Sequence, residues 1–298
     1  MTDTHQDQDT AQAIEGTEPT APLTAMDRVR LARDPQRPAT LDYIGELCTN
    51  FIELRGDRTF GDDAAMIGGL ATFRGRSVVV LGHQGGTNTR ENIERNFGMP
   101  RPEGFRKARR LMQHAQKFGL PIITFVDTSG ADPGIGSEER GQGTAIAECL
   151  MQMIGTRVPI VCTVIGEGGS GGALSISLGD RLLMLENAVY AVASPEACAA
   201  ILWKDASKAA EAAETMRVTA ADLDRFGMID ELIPEPVPAN EAPRDTIHTV
   251  GDRIEAHLDA LYESFDPDDP EAMAALLDQR YDKYRKIGAW SETGEVEP

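Results

Sequence analysis

An apolar run from Val158 to Ile165 passes directly into Gly166-Glu167-Gly168-Gly169-Ser170-Gly171-Gly172. Such a run, bounded by turn residues, marks a strand buried on both faces, as in a parallel sheet. Five glycines in the seven positions that follow cost backbone entropy, so a close approach or an unusual backbone angle must require them. The small-residue run Ala173 to Leu178 comes next. A loop feeding a helix start exposes unpaired N–H groups, and the dipole there favours negative charge. The pattern predicts a strand, a glycine corner and an anion or oxyanion site. A tight turn in which glycine only permits packing is the plainer alternative.

The rest of the chain alternates in the same way. Ala65 to Phe73 and Ser77 to Leu81 are β-like runs joined by Arg74-Gly75-Arg76, which reads as a hairpin. Pro100 to Phe118 is helical with Gly119 as its cap, and Pro121 to Val126 is a second buried strand. A helix is expected over about Ser137 to Ile154, strands over Arg181 to Leu185, Ala188 to Val192 and Ile229 to Ile233, and short helices from Pro195 to Trp203 and Thr219 to Phe226. About Pro243 to Phe265 reads as an amphipathic helix, with one more helix after Asp266. Ahead of the strands, Val29, Leu31, Leu41, Ile44, Leu47 and Phe51 recur at helical spacing. Residues 1 to about 22 lack Lys and Arg and have almost no large apolar groups, so a disordered acidic tail is expected there. Strands alternating with helices argue for an α/β core of stacked units.

Within that frame three chemistries compete for the glycine corner. Gly166, Gly168 and Gly171 match G-x-G-x-x-G, with Glu186 about twenty residues on, but a dinucleotide fold needs a full crossover helix before its next strand. Only about eight residues separate Gly172 from Arg181. A phosphate loop of the G-x4-G-K-[ST] kind fails because Ala173 stands where Lys is needed. Ser170 as a nucleophile, or the loop amides as an oxyanion hole, remain. For the first, His83, His114, His248 and His257 fall in no pattern that points to a base.

A second loop, Asp127 to Gly136, also follows a buried run. Ligands of parallel sheets bind at such strand ends, so the two loops read as two walls of one site; a plain connection with capping Asp127 and Asp132 is the alternative. Arg90, Arg95, Arg101, Arg106, Lys107, Arg109, Arg110 and Lys117 face only Glu91, Glu94 and Glu103 in their window. That excess would attract a polyanion such as a nucleotide diphosphate, unless it is a solvated helix face.

Composition narrows the field. The formal charge of −19 would repel a phosphate backbone, which argues against nucleic-acid binding as a primary role. No window approaches the roughly 18 apolar residues of a membrane span. With neither a basic start nor an apolar run at its N-terminus, the chain is expected in the cytoplasm. Cys48, Cys149, Cys162 and Cys198 make no C-x2-C pair, so no metal is expected, and Cys162 and Cys198 read as small buried thiols.

Six stretches carry a resemblance: RPATLDYI (Arg37 to Ile44), RNFGMPRPEGFRKARRLM (Arg95 to Met112), PIITFVDTSGADPGIGSEERGQ (Pro121 to Gln142), VIGEGGSGGAL (Val164 to Leu174), SPEACAAILWK (Ser194 to Lys204) and MIDELIPEP (Met228 to Pro236). Over about residues 26 to 290 the sequence resembles the α subunits of bacterial acetyl-CoA carboxylase carboxyltransferase. The resemblance implies a crotonase-like (ClpP/crotonase) fold of stacked ββα units with flanking helices, its core over about 60–236 within a domain from 23 to 298. It implies a transferase of fatty acid biosynthesis that moves a carboxyl group from carboxybiotin, on its carrier protein, to acetyl-CoA, with no covalently bound cofactor. The implied partners are a β subunit carrying a zinc ribbon, in an α2β2 heterotetramer, together with biotin carboxyl carrier protein and the ATP-binding biotin carboxylase. The catalytic amides carried over are Gly171 and Gly172, with Ala173 next in line, and Gly168, Gly169, Ser170, Ala173, Gly134 and Gly136 are expected to bind the substrates. Where the family usually reads DTPGAYPG this chain has Asp127 to Gly134 with Ser129 and Asp132, and HQKGR is replaced by His83-Gln84-Gly85-Gly86-Thr87. The competing functions are a self-sufficient crotonase-like acyl-CoA enzyme, a serine hydrolase using Ser170, and a non-catalytic scaffold.

Overall fold

The computed structural model describes residues 22–288, and nearly all of the expected acidic tail lies outside the described residues. Two short helices come first, α1 (Ala25–Ala32), whose N-cap Thr24 accepts from the Asp27 amide, and α2 (Thr40–Leu47). Strand β1 (Cys48–Glu53) follows at once. The helical spacing expected to continue to Phe51 therefore stops at Leu47. The chain extends there because β1 pairs antiparallel with β2 (Met66–Phe73), a long-range partner that helical periodicity cannot register.

The expected hairpin is present. β2 runs antiparallel to β3 (Arg76–His83) with Phe73 opposite Arg76, so the turn is the two residues Arg74 and Gly75, both at positive φ (45° and 83°). That primed geometry matches strand twist. After a short helix α3 (Thr89–Glu94), α4 (Pro102–Phe118) starts on a proline and ends at Gly119 in the left-handed region, φ 65°. Its apolar face, with Phe105, Leu111 and Met112 fully buried, packs on β2 and β3.

From β4 (Ile122–Thr128) onward the sheet is parallel. The single helix expected over Ser137 to Ile154 is two, α5 (Ile135–Glu139) and α6 (Gln142–Gly155), broken where Gly141 takes φ 80°. β5 (Ile160–Gly169) runs four residues beyond the apolar run that announced it, and α7 (Ser170–Leu174) follows directly. The remaining elements are β6 (Arg181–Leu185), β7 (Val189–Ala191), α8 (Pro195–Trp203), α9 (Ala209–Met216), α10 (Ala220–Arg225), β8 (Glu231–Ile233), α11 (Pro243–Ser264) and α12 (Pro270–Arg285).

The sheet order is β1-β2-β3-β4-β5-β6-β8, with β7 on β5. β5 changes partner midway: Val161 to Val164 pair with β6, whereas Glu167 to Gly169 pair with β7. That switch carries the glycine stretch past the end of β6 as a paired strand. Cys149 and Cys162 are buried, and desolvation pushes both thiols up to about 12; Cys198 is only half-buried, because α8 turns little of itself inward. Among the described residues no helix is long and apolar enough to cross a membrane, and no group of His, Cys, Asp and Glu could hold a metal ion.

Candidate active site

The two glycine-rich loops lie against each other at the C-terminal ends of adjacent strands, as Thr128 pairs with Gly168. Close contact is what demands glycine here. A Cβ on Gly169 would stand 2.1 Å from the Ser129 carbonyl oxygen, and one on Gly172 would stand 2.7 Å from the Gly130 carbonyl carbon and 2.8 Å from the Ala131 nitrogen. The packing account of the glycines is thus correct for these positions, and the same packing fixes the backbone of the corner. Gly171 differs: its Cβ would meet only Ile146, at 3.5 Å.

Ser170 takes a left-handed backbone, φ 52°, which costs a non-glycine residue about 1–2 kcal/mol. The kink turns the chain from β5 into α7, where the amides of Ser170, Gly171 and Gly172 lie in the first turn and have no intrahelical acceptor. Their carbonyls are tied down from behind. Ser175 donates its N–H to the Gly171 oxygen (3.1 Å) and its Oγ–H to the Gly172 oxygen (2.7 Å). Ser170 is exposed, Gly171 half-buried, and Gly168, Gly169, Gly172 and Ala173 are buried.

Cavities flank the corner on both sides. An apolar one of about 420 Å³ is lined by Ser170, Gly171, Leu174, Tyr190, Met216 and Phe226, with Arg217 its only charged residue. A polar one of about 460 Å³ is lined by Arg33, Gln84, Asn92, Asp127, Ser129 and Glu167. A larger groove of about 620 Å³ between α2 and α11 contains none of the candidate residues. In the polar cavity, burial pushes the Asp127 carboxyl up to about 6, against the pull of the Glu167 amide, which donates to its Oδ1 at 3.0 Å. Arg37, fully engaged with buried Glu235 (2.7 Å) and the Ile165 carbonyl (2.6 Å), pins the same strand end from α2's approach.

The structure brings together Gly168, Gly169, Ser170, Gly171, Gly172 and Ala173 with the Ser129 to Ala131 backbone. Gly134 and Gly136 stand apart. Gly134 is the N-cap of α5, Gly136 accepts from Arg140 Nη1 (2.6 Å), and neither lines the cavities at the corner. The second loop is held by Asp132, which accepts from Ser137 Oγ (2.5 Å), and by Gln142 Nε2, which donates to the Asp132 and Pro100 carbonyls.

Much of the charge of the basic stretch is taken up within the fold. Arg106 pairs with Asp57 (2.7 Å) and Glu103, buried Lys107 with Asp62 (2.6 Å), Arg109 with Glu148 (2.6 Å), and Arg110 donates to the Leu54 and Gly56 carbonyls. The acidic partners Asp57, Asp62 and Glu148 come from outside the window that made the charge look unbalanced. Among the described residues no histidine stands beside Ser170 as a base for the serine-hydrolase reading. His83 accepts from the Asp127 amide (3.3 Å), His257 meets Glu231 (2.7 Å), His248 lies 3.7 Å from Glu46, and His114 packs on Phe118. Sequence reasoning named His83 only as a base without a pattern and as part of the stretch that departs from HQKGR; its place at the end of β3, next to β4, is what the structure adds.

Residues 5–288 match the family described as acetyl co-enzyme A carboxylase carboxyltransferase-like. The chain is 53% identical over 276 residues to the acetyl-coenzyme A carboxylase carboxyl transferase subunit alpha of Prochlorococcus marinus (strain AS9601), covering 92% of this chain and 80% of that protein. It is 55% identical over 274 residues to the protein of the same description from Anoxybacillus flavithermus, covering 92% and 82%. Among solved structures it resembles transcarboxylase 12S (TM-score 0.61, 19% identity, 83% of this chain and 47% of that one) and the geranyl-CoA carboxylase β subunit of P. aeruginosa (TM-score 0.58, 17% identity, 84% and 48%). The chain thus spans about half the length of these solved chains, and the likeness shows the fold, which is crotonase-like as the sequence led one to expect. By family model and by relatives more than half identical over most of its length, the chain belongs to the acetyl-CoA carboxylase carboxyltransferase α-subunit family.

Proposed function

We propose that this chain is the α subunit of an acetyl-CoA carboxylase carboxyltransferase, transferring the carboxyl group of carboxybiotin to the methyl carbon of acetyl-CoA to give malonyl-CoA. Release of carbon dioxide from carboxybiotin leaves negative charge on the ureido oxygen. The Gly171 and Gly172 amides, fixed at the first turn of α7, are the donors that would stabilise it. The ureido nitrogen can then take the methyl proton, so no side-chain base is required of this chain, in keeping with the four described histidines, which are engaged elsewhere. Biotin arrives on its carrier protein as a substrate, and a β subunit supplies the second half of the site, around the thioester.

The observation that carries this reading is the locked corner: first-turn amides on a backbone that glycine contacts hold rigid, with Gly171 lining a cavity of about 420 Å³ and Gly172 buried behind it. Preorganised donors of this kind are the largest single term in many enzymes. The test is malonyl-CoA-dependent carboxylation of free biocytin, the reverse reaction, with this chain alone and with its β subunit. Activity only with the β subunit is expected, and Ser170→Ala should leave it within about threefold, since Ser170 holds no base. Activity from the chain alone that Ser170→Ala abolishes would overturn the proposal.

A further inference from the structure

His83 ends β3 with its side chain 0% exposed, directly behind the glycine corner. The Asp127 N–H donates to its Nδ1 at 3.3 Å, which fixes the tautomer: the proton sits on Nε2. The backbone at His83 is itself anchored, because Thr40 Oγ1 donates to its carbonyl at 2.5 Å. Burial holds the ring neutral, pushing its pKa down to about 3. Nε2–H is buried without a partner, and the Gly172 backbone lies near enough to the ring to oppose the effect of burial on it. A buried donor without a partner is costly, and it is seldom left so without a role.

The corner needs such a support. α7 is five residues long, too short to hold its own geometry, and two adjacent glycines at its second and third positions add backbone freedom. Among the described residues the bond to the Gly172 carbonyl comes from Ser175 Oγ, and that oxygen has a second lone pair to offer.

We propose that His83 is a positioning residue for carboxyl transfer, its Nε2–H closing on the Gly172 carbonyl in the assembled enzyme and setting the direction of the Gly171 and Gly172 amides. The inference rests on the oxyanion role proposed for those amides. The ring touches no substrate; it links three neighbouring strand ends, with Nδ1 on the β4 end, Nε2 on the corner after β5, and its own backbone on β3. A small misdirection of donors is enough to slow a reaction that depends on them.

Two near-isosteres separate the two ring nitrogens. His83→Asn places an acceptor where Nδ1 sits but has no donor that reaches Gly172, whereas His83→Gln places an amide N–H near the Nε2 position. Both are assayed in the complex with the β subunit, by the malonyl-CoA-dependent carboxylation of biocytin. His83→Asn should lower kcat on the order of 10- to 100-fold with KM for malonyl-CoA little changed, and His83→Gln should recover kcat to within about fivefold of wild type. Equal losses in the two variants, or an unchanged kcat in His83→Asn, would overturn the proposal. If either variant fails to fold, a crystal structure of the wild-type complex decides: Nε2 within about 3.2 Å of the Gly172 oxygen supports the role, and a gap that persists there refutes it. An inactive wild-type complex would count against the carboxyltransferase reading instead, while the crystallographic distance would still judge His83.

Discussion

Adjacent glycines at 171 and 172 provide a matched pair of perturbations, because a methyl group meets different surroundings at each. In Gly172→Ala the new Cβ would lie 2.7 Å from the Gly130 carbonyl carbon, whereas ordinary contact begins at 3.4 Å, so one loop must retreat from the other by about 0.7 Å. The obstacle is backbone on a loop pinned by Asp132 and Gln142, which leaves α7 as the part that moves. An amide about 2.9 Å from the developing oxyanion would then stand about 3.6 Å away, outside hydrogen-bond range. Loss of one such donor costs about 2.7–4 kcal/mol of barrier, or 10²- to 10³-fold in kcat. Overpacking should also remove roughly 1–3 kcal/mol of stability, read as a Tm lower by roughly 3–9 °C. Gly171→Ala meets only Ile146 at 3.5 Å. It should keep kcat within about threefold and leave Tm unchanged or higher, since alanine restricts the unfolded chain. The assay is reverse carboxylation of biocytin by the assembled enzyme, run beside thermal melts of each variant. Wild-type turnover in Gly172→Ala, or an equal loss in Gly171→Ala, would refute the argument that loop-on-loop contact aims the amides.

Two further perturbations test the electrostatics of the scaffold. Asp127 has a folded pKa raised from 3.8 to about 6 by burial, so the stability that its protonated form contributes is complete below pH 3.8 and lost as pH rises through about 6. Asp127→Asn keeps the acceptor for the Glu167 amide and should therefore gain roughly 1–2 kcal/mol over wild type at pH 8, after allowance for partial solvent contact, and nothing at pH 3.5; paired urea melts that show the same difference at both pH values would count against it. Arg280, 1% exposed on α12, makes a bidentate pair with Asp180 (2.7 and 2.8 Å) and donates to the Met153, Thr156 and Val158 carbonyls. Arg280→Met strands a buried carboxylate and should cost about 3–5 kcal/mol, part of it recovered by adding Asp180→Asn; a denaturation midpoint equal to wild type would contradict this.

How far the sequence could be read depends on the distance over which each determinant acts. The Arg74-Gly75 turn, the Pro102 start and Gly119 end of α4, and the buried runs of β4 and β5 are written in neighbouring residues, and the structure places all of them close to where periodicity does. β1 was hidden because only its pairing with β2 makes Cys48 to Glu53 extend. The charge of the Arg101 to Lys117 region was overcounted for a related reason: a count along the chain has no access to Asp57, Asp62 or Glu148, which pair with Arg106, Lys107 and Arg109 in space.

The candidate site divides along the same line. Its glycines were legible as a cluster, but their purposes were not, because each is set by what the missing Cβ would touch. For Gly169 and Gly172 that is backbone from a loop about forty residues earlier, and for Gly168 it is the ring of Tyr190, so the packing account and the oxyanion account are not rivals. Donors stabilise a transition state in proportion to how little they must reorganise, and they are held still here by the contacts that exclude a side chain. The same logic brings in residues with no motif of their own. Ser175 touches the corner only through its carbonyls, from the turn after α7, and His83 lies buried at the end of β3, where the Asp127 amide donates to it. A site built from main-chain amides leaves its signature in glycines, while the groups that aim those amides become visible only once the strand order brings the ends of β3, β4 and β5 side by side.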